Sequence, residues 1–145
     1  MNPAYPTVEK AYAYVTRDAG GYTGLELLVF EQPTPGTGVQ VPKGTVDEGE
    51  APAEAVVREL EEETGIDEPT EVTHLASDRW VHDRRRAIYR RHFFHVLVDE
   101  PRDAWDHVVT GAGEDDGMVF SCYFTCPRSV ALSRDMGDYV HTVLE

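Results

Sequence analysis

The chain has 145 residues, 41% hydrophobic and 28% charged, the balance of one globular domain long enough to bury a core. Its formal net charge of −14 argues against general nucleic-acid binding, which needs a positive field, and no apolar run reaches the length of a membrane span. The opening stretch Met1-Asn2-Pro3-Ala4-Tyr5-Pro6 has no basic head and no apolar run, so a secretory leader is not expected and a cytoplasmic location is.

In chain order, residues 8–17 are rich in β-formers and predict a strand, and Asp18-Ala19-Gly20-Gly21 predicts a turn. Leu25 to Glu31 is a second strand, so the two form a hairpin. A loop rich in proline and glycine covers 33–38, and Val39-Gln40-Val41 reads as a short strand. Residues 44–50 form a glycine- and acid-containing loop. From Pro52 to Thr64 the pattern is helical, with proline in the first turn and Gly65 just past the end. Strands follow at 71–80, 86–98 and 118–125. The closing segment, 128–144, reads as a helix on the apolar stripe of Val130, Leu132, Met136, Tyr139, Val140 and Val143, interrupted by Gly137. Strands on both sides of a central helix indicate a mixed α/β sandwich in place of a doubly wound sheet. Cys122 and Cys126 lack zinc-site spacing and read as reduced, half-buried thiols on or beside a late strand.

The 52–64 helix carries the chemistry. Ala53, Val56, Val57 and Leu60 fall on one side and suit packing on a sheet. Glu59, Glu62 and Glu63 stand at i, i+3 and i+4, which crowds three carboxylates onto another face. Such like-charge pairs cost a helix roughly 0.2–0.5 kcal/mol each. Acids facing the negative end of the helix dipole cost about 0.3–1 kcal/mol more. One reading is a solvated acidic face in an acidic protein. The other is a site compensated by a hard divalent cation, Mg²⁺ or Mn²⁺, for which carboxylate oxygens are suitable ligands.

The surroundings favour the cation. From Gly44 there are five residues to Glu50, then seven to Arg58, then Glu59-Leu60-Glu61-Glu62-Glu63-Thr64-Gly65-Ile66. This resembles the Nudix signature at every fixed position, a match with a chance frequency on the order of 10⁻⁷ per chain. The resemblance implies an α+β fold, a Nudix-type α/β/α sandwich with a mixed sheet and a loop-helix-loop metal site. It also implies hydrolysis by water attack on phosphorus of a nucleoside diphosphate linked to another group. By position, it implies Glu59, Glu62 and Glu63 as the main metal ligands, with Gly44 offering a backbone carbonyl and Glu50 a further acid. Arg58 would hold a neighbouring carboxylate, while Leu60 and Ile66 are core. The base is either a box glutamate or an acid of the Gly111–Gly117 loop, where Glu114 and Asp115 are candidates; a polar surface turn is the alternative there.

Lys43, beside the metal loop, is a candidate phosphate ligand. Its Pro-Lys-Gly setting resembles Nudix enzymes of dinucleoside or diphosphoinositol polyphosphates. Arg79, Arg84, Arg85, Arg86, Arg90 and Arg91 concentrate positive charge in an otherwise acidic chain. Strand alternation would put Arg84 and Arg86 on one face and Arg85, Tyr89 and Arg91 on the other. One set, Arg84 and Arg86, is taken as substrate-binding, and the group as a whole suggests more than two phosphates. Trp80, Tyr89, Phe93, Phe94 and Trp105 are each core or part of a base-stacking platform. The tyrosine that many diadenosine tetraphosphate hydrolases carry after the box is absent, that stretch reading Val81-His82-Asp83. Nucleoside triphosphates and nucleotide sugars stay open as substrates, as does a non-catalytic nucleotide-sensing module. The expected partner is a small-molecule phosphoanhydride, with neither nucleic acid nor membrane; a homodimer is an assembly the resemblance allows and no residue pattern specifies.

Overall fold

A computed structural model describes residues 4–19 and 24–144. Its strands are β1 (Thr7–Asp18), β2 (Leu25–Glu31), β3 (Val39–Gln40), β4 (Lys43–Thr45), β5 (Glu71–His82), β6 (Ala87–Leu97), β7 (Ala104–Val108) and β8 (Val119–Thr125), with one helix, α1 (Pro52–Thr64). They form a mixed sheet in the order β5-β6-β1-β2-β8-β7, in which β1 and β6 are parallel and the other pairs antiparallel. The ends of β1 and β2 pair as a hairpin expects, Asp18 opposite Leu25, while Gly20 and Gly21 of the expected turn lie outside the described residues.

Alternation along the strands sends side chains to two cores. Ala11, Ala13, Val15, Leu28, Phe30, Phe94, Val96 and Phe120 pack under α1 with Ala55, Val56 and Leu60. Tyr12, Tyr14, Leu27, Val29, Val41 and Phe93 face the opposite side, where Met136 and Val143 cover them. The buried stripe of α1 is rotated slightly from the expected one: Ala55 takes the inward place and Ala53 is exposed. Pro52 opens the helix, and Gly65 closes it at φ 82°, its N–H donating to Glu61 O at 2.9 Å. A left-handed residue at that position favours glycine.

β1 and β2 pair only near Thr16–Asp18 and then diverge. The outer edge of β1 is occupied by β6 and that of β2 by β8, so β4, paired to β1, and β3, paired to β2, must both lie in the wedge between them. Lys43 opposes Tyr12 and Gly44 opposes Ala11, so consecutive residues of β4 face the two different cores. The box therefore begins where the sheet splits.

Residues 128–144 are not an α-helix: they form successive turns, a bridge from Leu132 to Val39, and one 3₁₀ turn, Val140–Val143. Arg134 and Asp135 sit at φ 50° and 59°, a conformation no helix continues through. The second outer layer of the sandwich is thus turns whose apolar residues meet the sheet without a helical repeat. Tyr14 fastens them, its hydroxyl donating to Met136 O at 2.5 Å and accepting from Tyr139 N at 3.2 Å. The strand β7 carries a weak sequence signal, since Ala-Trp-Asp-His-Val has two polar residues and lies on a sheet edge. Among the described residues no helix is long and apolar enough to cross a membrane.

Arg91 clips the turn segment to the sheet. It is 2% exposed, bonds both Asp78 oxygens (2.8 and 2.6 Å), Asp138 (2.9 Å) and Asp135 O (3.1 Å), and lies over the Trp80 and Phe93 rings. Removing a buried charged partner strands the others, at about 3–5 kcal/mol for a fully enclosed pair. Asp138 is half exposed, so Arg91→Met is expected to lower unfolding free energy by about 2–3 kcal/mol. The exposed Arg90→Met should change it by less than about 0.5 kcal/mol, both measured by urea unfolding.

Candidate active site

A cavity of about 670 Å³ opens at the split in the sheet. On the α1 side its wall includes Gly44, Glu59, Glu62 and Glu63, and the 110–116 loop. On the opposite side it includes Lys10, Lys43, Trp80, His82, Arg85, Tyr89 and Arg134. The structure thus draws Lys43, Gly44, Arg58, Glu59, Glu62, Glu63, Glu114 and Asp115 into one concavity.

Arg58 organises the acids. Its Nε and Nη2 donate to the two oxygens of Glu50 at 2.8 and 3.0 Å, and Nη2 also reaches Thr45 O at 2.9 Å. Its Nη1 donates to Glu59 at 2.8 Å and Glu62 at 3.2 Å. Glu50 was expected to be a further metal acid; instead both its oxygens are engaged by Arg58, one also by Asp47 N–H at 3.0 Å, and it does not line the cavity. Those hydrogen bonds hold its carboxyl below the usual range. Among the described residues no group of three His, Cys, Asp or Glu side chains converges closely enough, as it stands, to hold a metal ion.

The donor set nevertheless fits a hard cation. The acids gathered there, Glu59, Glu62 and Glu63, offer oxygen ligands. A Cβ added at Gly44 would land on the Glu59 carboxylate, so the glycine is required by close approach. A Cβ at Gly111 would come within 2.7 Å of the Glu62 carboxyl, beside a backbone φ of 106° that already favours glycine. Glu63 is buried, its Oε1 accepting only the Lys43 N–H, at 2.8 Å. Burial pushes its carboxyl up to about 8, with Glu59 and Asp115 adding to the effect and Lys43 opposing it. Glu59 is raised too, chiefly by burial.

The helix end carrying these acids is closed by the unread β7 and its following loop. Thr110 N and His107 Nε2 both lie 3.1 Å from Glu62 O, and Trp105 Nε1 donates to Thr64 O at 2.8 Å. Carbonyls left open at a helix C-terminus are thereby matched. Trp105 is thus a helix-end partner, Phe93 and Phe94 are core, and Trp80 and Tyr89 line the cavity.

Residues 83–86 are the β5–β6 turn, so strand alternation does not reach them. Arg84 and Arg86, taken as substrate-binding, are exposed there and are not cavity-lining; Arg85 is. Arg86 has φ 52° and lies over the Tyr5 ring. Glu114 is 85% exposed and 3.8 Å from Arg85 across the mouth, whereas Asp115 is half-buried and close enough to Glu63 to raise its carboxyl.

Lys10, His82 and Arg134 are charged or titratable lining residues that the sequence did not point to. Lys10 bonds Thr45 Oγ1 at 2.8 Å and sits 5.0 Å from the Tyr89 ring centre, its amine lowered to about 8 chiefly by burial. His82 is flanked by Trp80 and Tyr89, and Arg134 comes from the segment read as a helix. The one available signal was that Lys10 and Lys43 are the chain's two lysines.

A stability profile follows from Glu63. Unfolded, its carboxyl ionises near its ordinary 4.5; folded, near 8. Between these values the folded state holds the extra proton, so this one group's contribution to stability is complete below its unfolded value and is lost as pH rises through the raised folded one. With chelator present, melting temperature should decline across that window. Millimolar Mg²⁺ should reduce the decline, most at the alkaline end, and Glu63→Gln should flatten it.

A family profile described as the NUDIX domain matches residues 7–134. A protein of Psychrobacter sp. (strain PRwf-1) named RNA pyrophosphohydrolase is 42% identical over 67 residues, a stretch covering 46% of this chain and 38% of that protein. The match therefore spans well under half of the relative's length. Among solved structures, a Caenorhabditis elegans Ap4A hydrolase in a binary complex superposes with a TM-score of 0.67 at 18% identity, covering 94% of this chain and 95% of that one. A MutT Nudix hydrolase from Burkholderia pseudomallei gives 0.69 at 18% identity, covering 94% and 98%. At these identities the superpositions speak for the fold. With the complete box and the profile match across most of its length, the chain belongs to the Nudix family.

Proposed function

We propose that this protein is a divalent-cation-dependent pyrophosphohydrolase acting on a small polyphosphorylated nucleotide. The observation that carries the reading is the meeting, in one cavity, of the box carboxylates with Lys10, Lys43 and Arg134, cations for which no acidic side chain comes within ion-pair distance among the described residues.

Nudix hydrolases generally use a divalent metal, usually Mg²⁺; here Glu59, Glu62 and Glu63 would hold it, with Gly44 allowing the backbone to approach. When bound, such an ion neutralises diphosphate charge and makes water a better nucleophile. The chain's own groups do the rest. Arg58 orders Glu59 and Glu62 and keeps Glu50 turned away. Lys43 and Lys10 line the cavity facing the carboxylates, and Arg85 and Arg134 extend the positive wall, which favours a substrate with more than two phosphates. Asp115, nearer the carboxylates than the exposed Glu114, takes the proton of the attacking water at its carboxylate oxygen. The cations favour a dinucleoside polyphosphate or a nucleoside triphosphate. The local identity to an RNA pyrophosphohydrolase favours a second substrate, the phosphorylated end of an RNA. A non-catalytic nucleotide sensor would bind in the same cavity without turnover.

Incubating the protein with Mg²⁺ and a panel of nucleoside triphosphates, diadenosine polyphosphates, nucleotide sugars, inositol pyrophosphates and 5′-triphosphorylated RNA should release phosphate or a nucleotide from at least one. Glu62→Gln should cut kcat at least about 100-fold while the urea midpoint changes little, because relief of repulsion among the glutamates offsets the weakened pairing with Arg58. Unfolding of that variant, or binding without any turnover by the unmodified protein, would refute the hydrolase assignment. Asp115→Asn should lower kcat by about 10²- to 10⁴-fold, and Glu114→Gln by much less; the reverse order would move the base to Glu114.

A further inference from the structure

Among the described residues one buried side-chain polar atom has no hydrogen-bond partner: Oε1 of Gln40. Gln40 is 1% exposed and contributes to the cavity wall. Its Nε2 donates to Thr37 O at 3.5 Å, and the flipped amide would set two oxygens against each other, so the oxygen is the open end. Gln40 lies opposite Phe30 in the sheet, while its neighbours Val39 and Val41 pack into the other core. The side chain therefore belongs to the α1 side of the split, with the box carboxylates.

Folded proteins rarely leave a buried amide oxygen unmatched, and one in the wall of a ligand cavity has a natural partner in the ligand. An ionised phosphate cannot serve, because it too offers only acceptors. A group that brings an N–H or O–H can. We propose that Gln40 is a specificity residue whose Oε1 accepts a hydrogen bond from a neutral donor of the nucleotide, a base amino group or a ribose hydroxyl. This rests on the hydrolase reading above and adds to it which part of the substrate is read. Phosphates are held by the basic wall, whereas Gln40 distinguishes one nucleoside from another.

The test compares the unmodified protein with Gln40→Met, which keeps length and bulk but has no hydrogen-bonding amide. Substrates are 5′-triphosphates differing by one donor: adenosine against purine riboside and guanosine against inosine for the base, ribose against 2′-deoxy and 3′-deoxy for the sugar. The unmodified protein is expected to favour the donor-bearing member of one pair by roughly 5- to 100-fold in kcat/KM, and the variant to bring that ratio close to one. The arm in which the ratio collapses identifies the donor. Melting temperature should be unchanged or higher, since an unmatched oxygen has been removed. Equal ratios in both proteins would overturn the proposal. So would an equal loss on every analogue, which marks a structural role, or a raised Mg²⁺ requirement alone, which marks a cation ligand. Binding of the same pairs, followed by fluorescence quenching of Trp80 in the cavity wall, separates the two readings. If neither protein turns over any nucleotide the hydrolase assignment fails, while the binding ratios still decide for or against Gln40.

Discussion

The guanidinium of Arg58 is shared among Glu50, Glu59 and Glu62, and the rest of the site is arranged around that sharing. Carboxylates gathered on the last turns of a helix repel one another and oppose its dipole. A single planar donor with a fixed fork can hold several of them without neutralising all. Glu50 takes a two-point contact, so Glu59 and Glu62 each receive one hydrogen bond from the arginine and retain an oxygen that Arg58 does not occupy. Glu63 is outside Arg58's reach and is kept by burial and one backbone N–H. The result is an ordered group of carboxyls, one of them kept protonated by burial, that a divalent cation would bring to full ionisation.

The sheet supplies the concavity. Because β1 and β2 pair at one end and separate at the other, β3 and β4 enter the wedge, and a residue step along β4 changes the face addressed. Gly44 thereby meets the helix while Lys43 turns to the aromatic side. Negative and positive groups are separated by the thickness of a strand. The cavity therefore presents acidic groups on one flank and cations on the other.

The wall opposite α1 depends on a segment without regular helix. Arg91 and Tyr14 hold the 134–139 turns against the sheet, and Trp80 Nε1 donates to Asp135 at 2.9 Å. Two consecutive residues with positive φ are kept in place by these contacts, and they present Arg134 to the cavity. Strained backbone of this kind persists where its surroundings over-determine it, commonly beside a binding site. The same aspartates keep Arg91 structural, so the arginine-rich stretch divides into a buried clip, a cavity cation at Arg85 and solvent-facing charge at Arg84 and Arg86.

Local sequence determined the helix, its glycine stop and the spacing of the box, because each depends on interactions within a few residues: proline at the first turn, left-handed closure at Gly65, carboxylates at helical intervals. It also determined the long strands, whose alternation is intrinsic to their residues. Tertiary structure alone decided the matters that rest on partners far away in the chain. Glu50 became a ligand of Arg58 because the loop folds back on the helix. Lys10 entered the site because β4 lies beside β1. The 128–144 stripe forms turns whose backbone is tied to distant partners: Ser133 N–H donates to Val39 O, Tyr139 N–H to the Tyr14 hydroxyl, and the carbonyls of Asp135 and Met136 accept from Arg91 and Tyr14. The unmatched oxygen of Gln40 is of the same kind, since which face of a short strand looks into a cavity is set by strand register, and register is a property of two strands together.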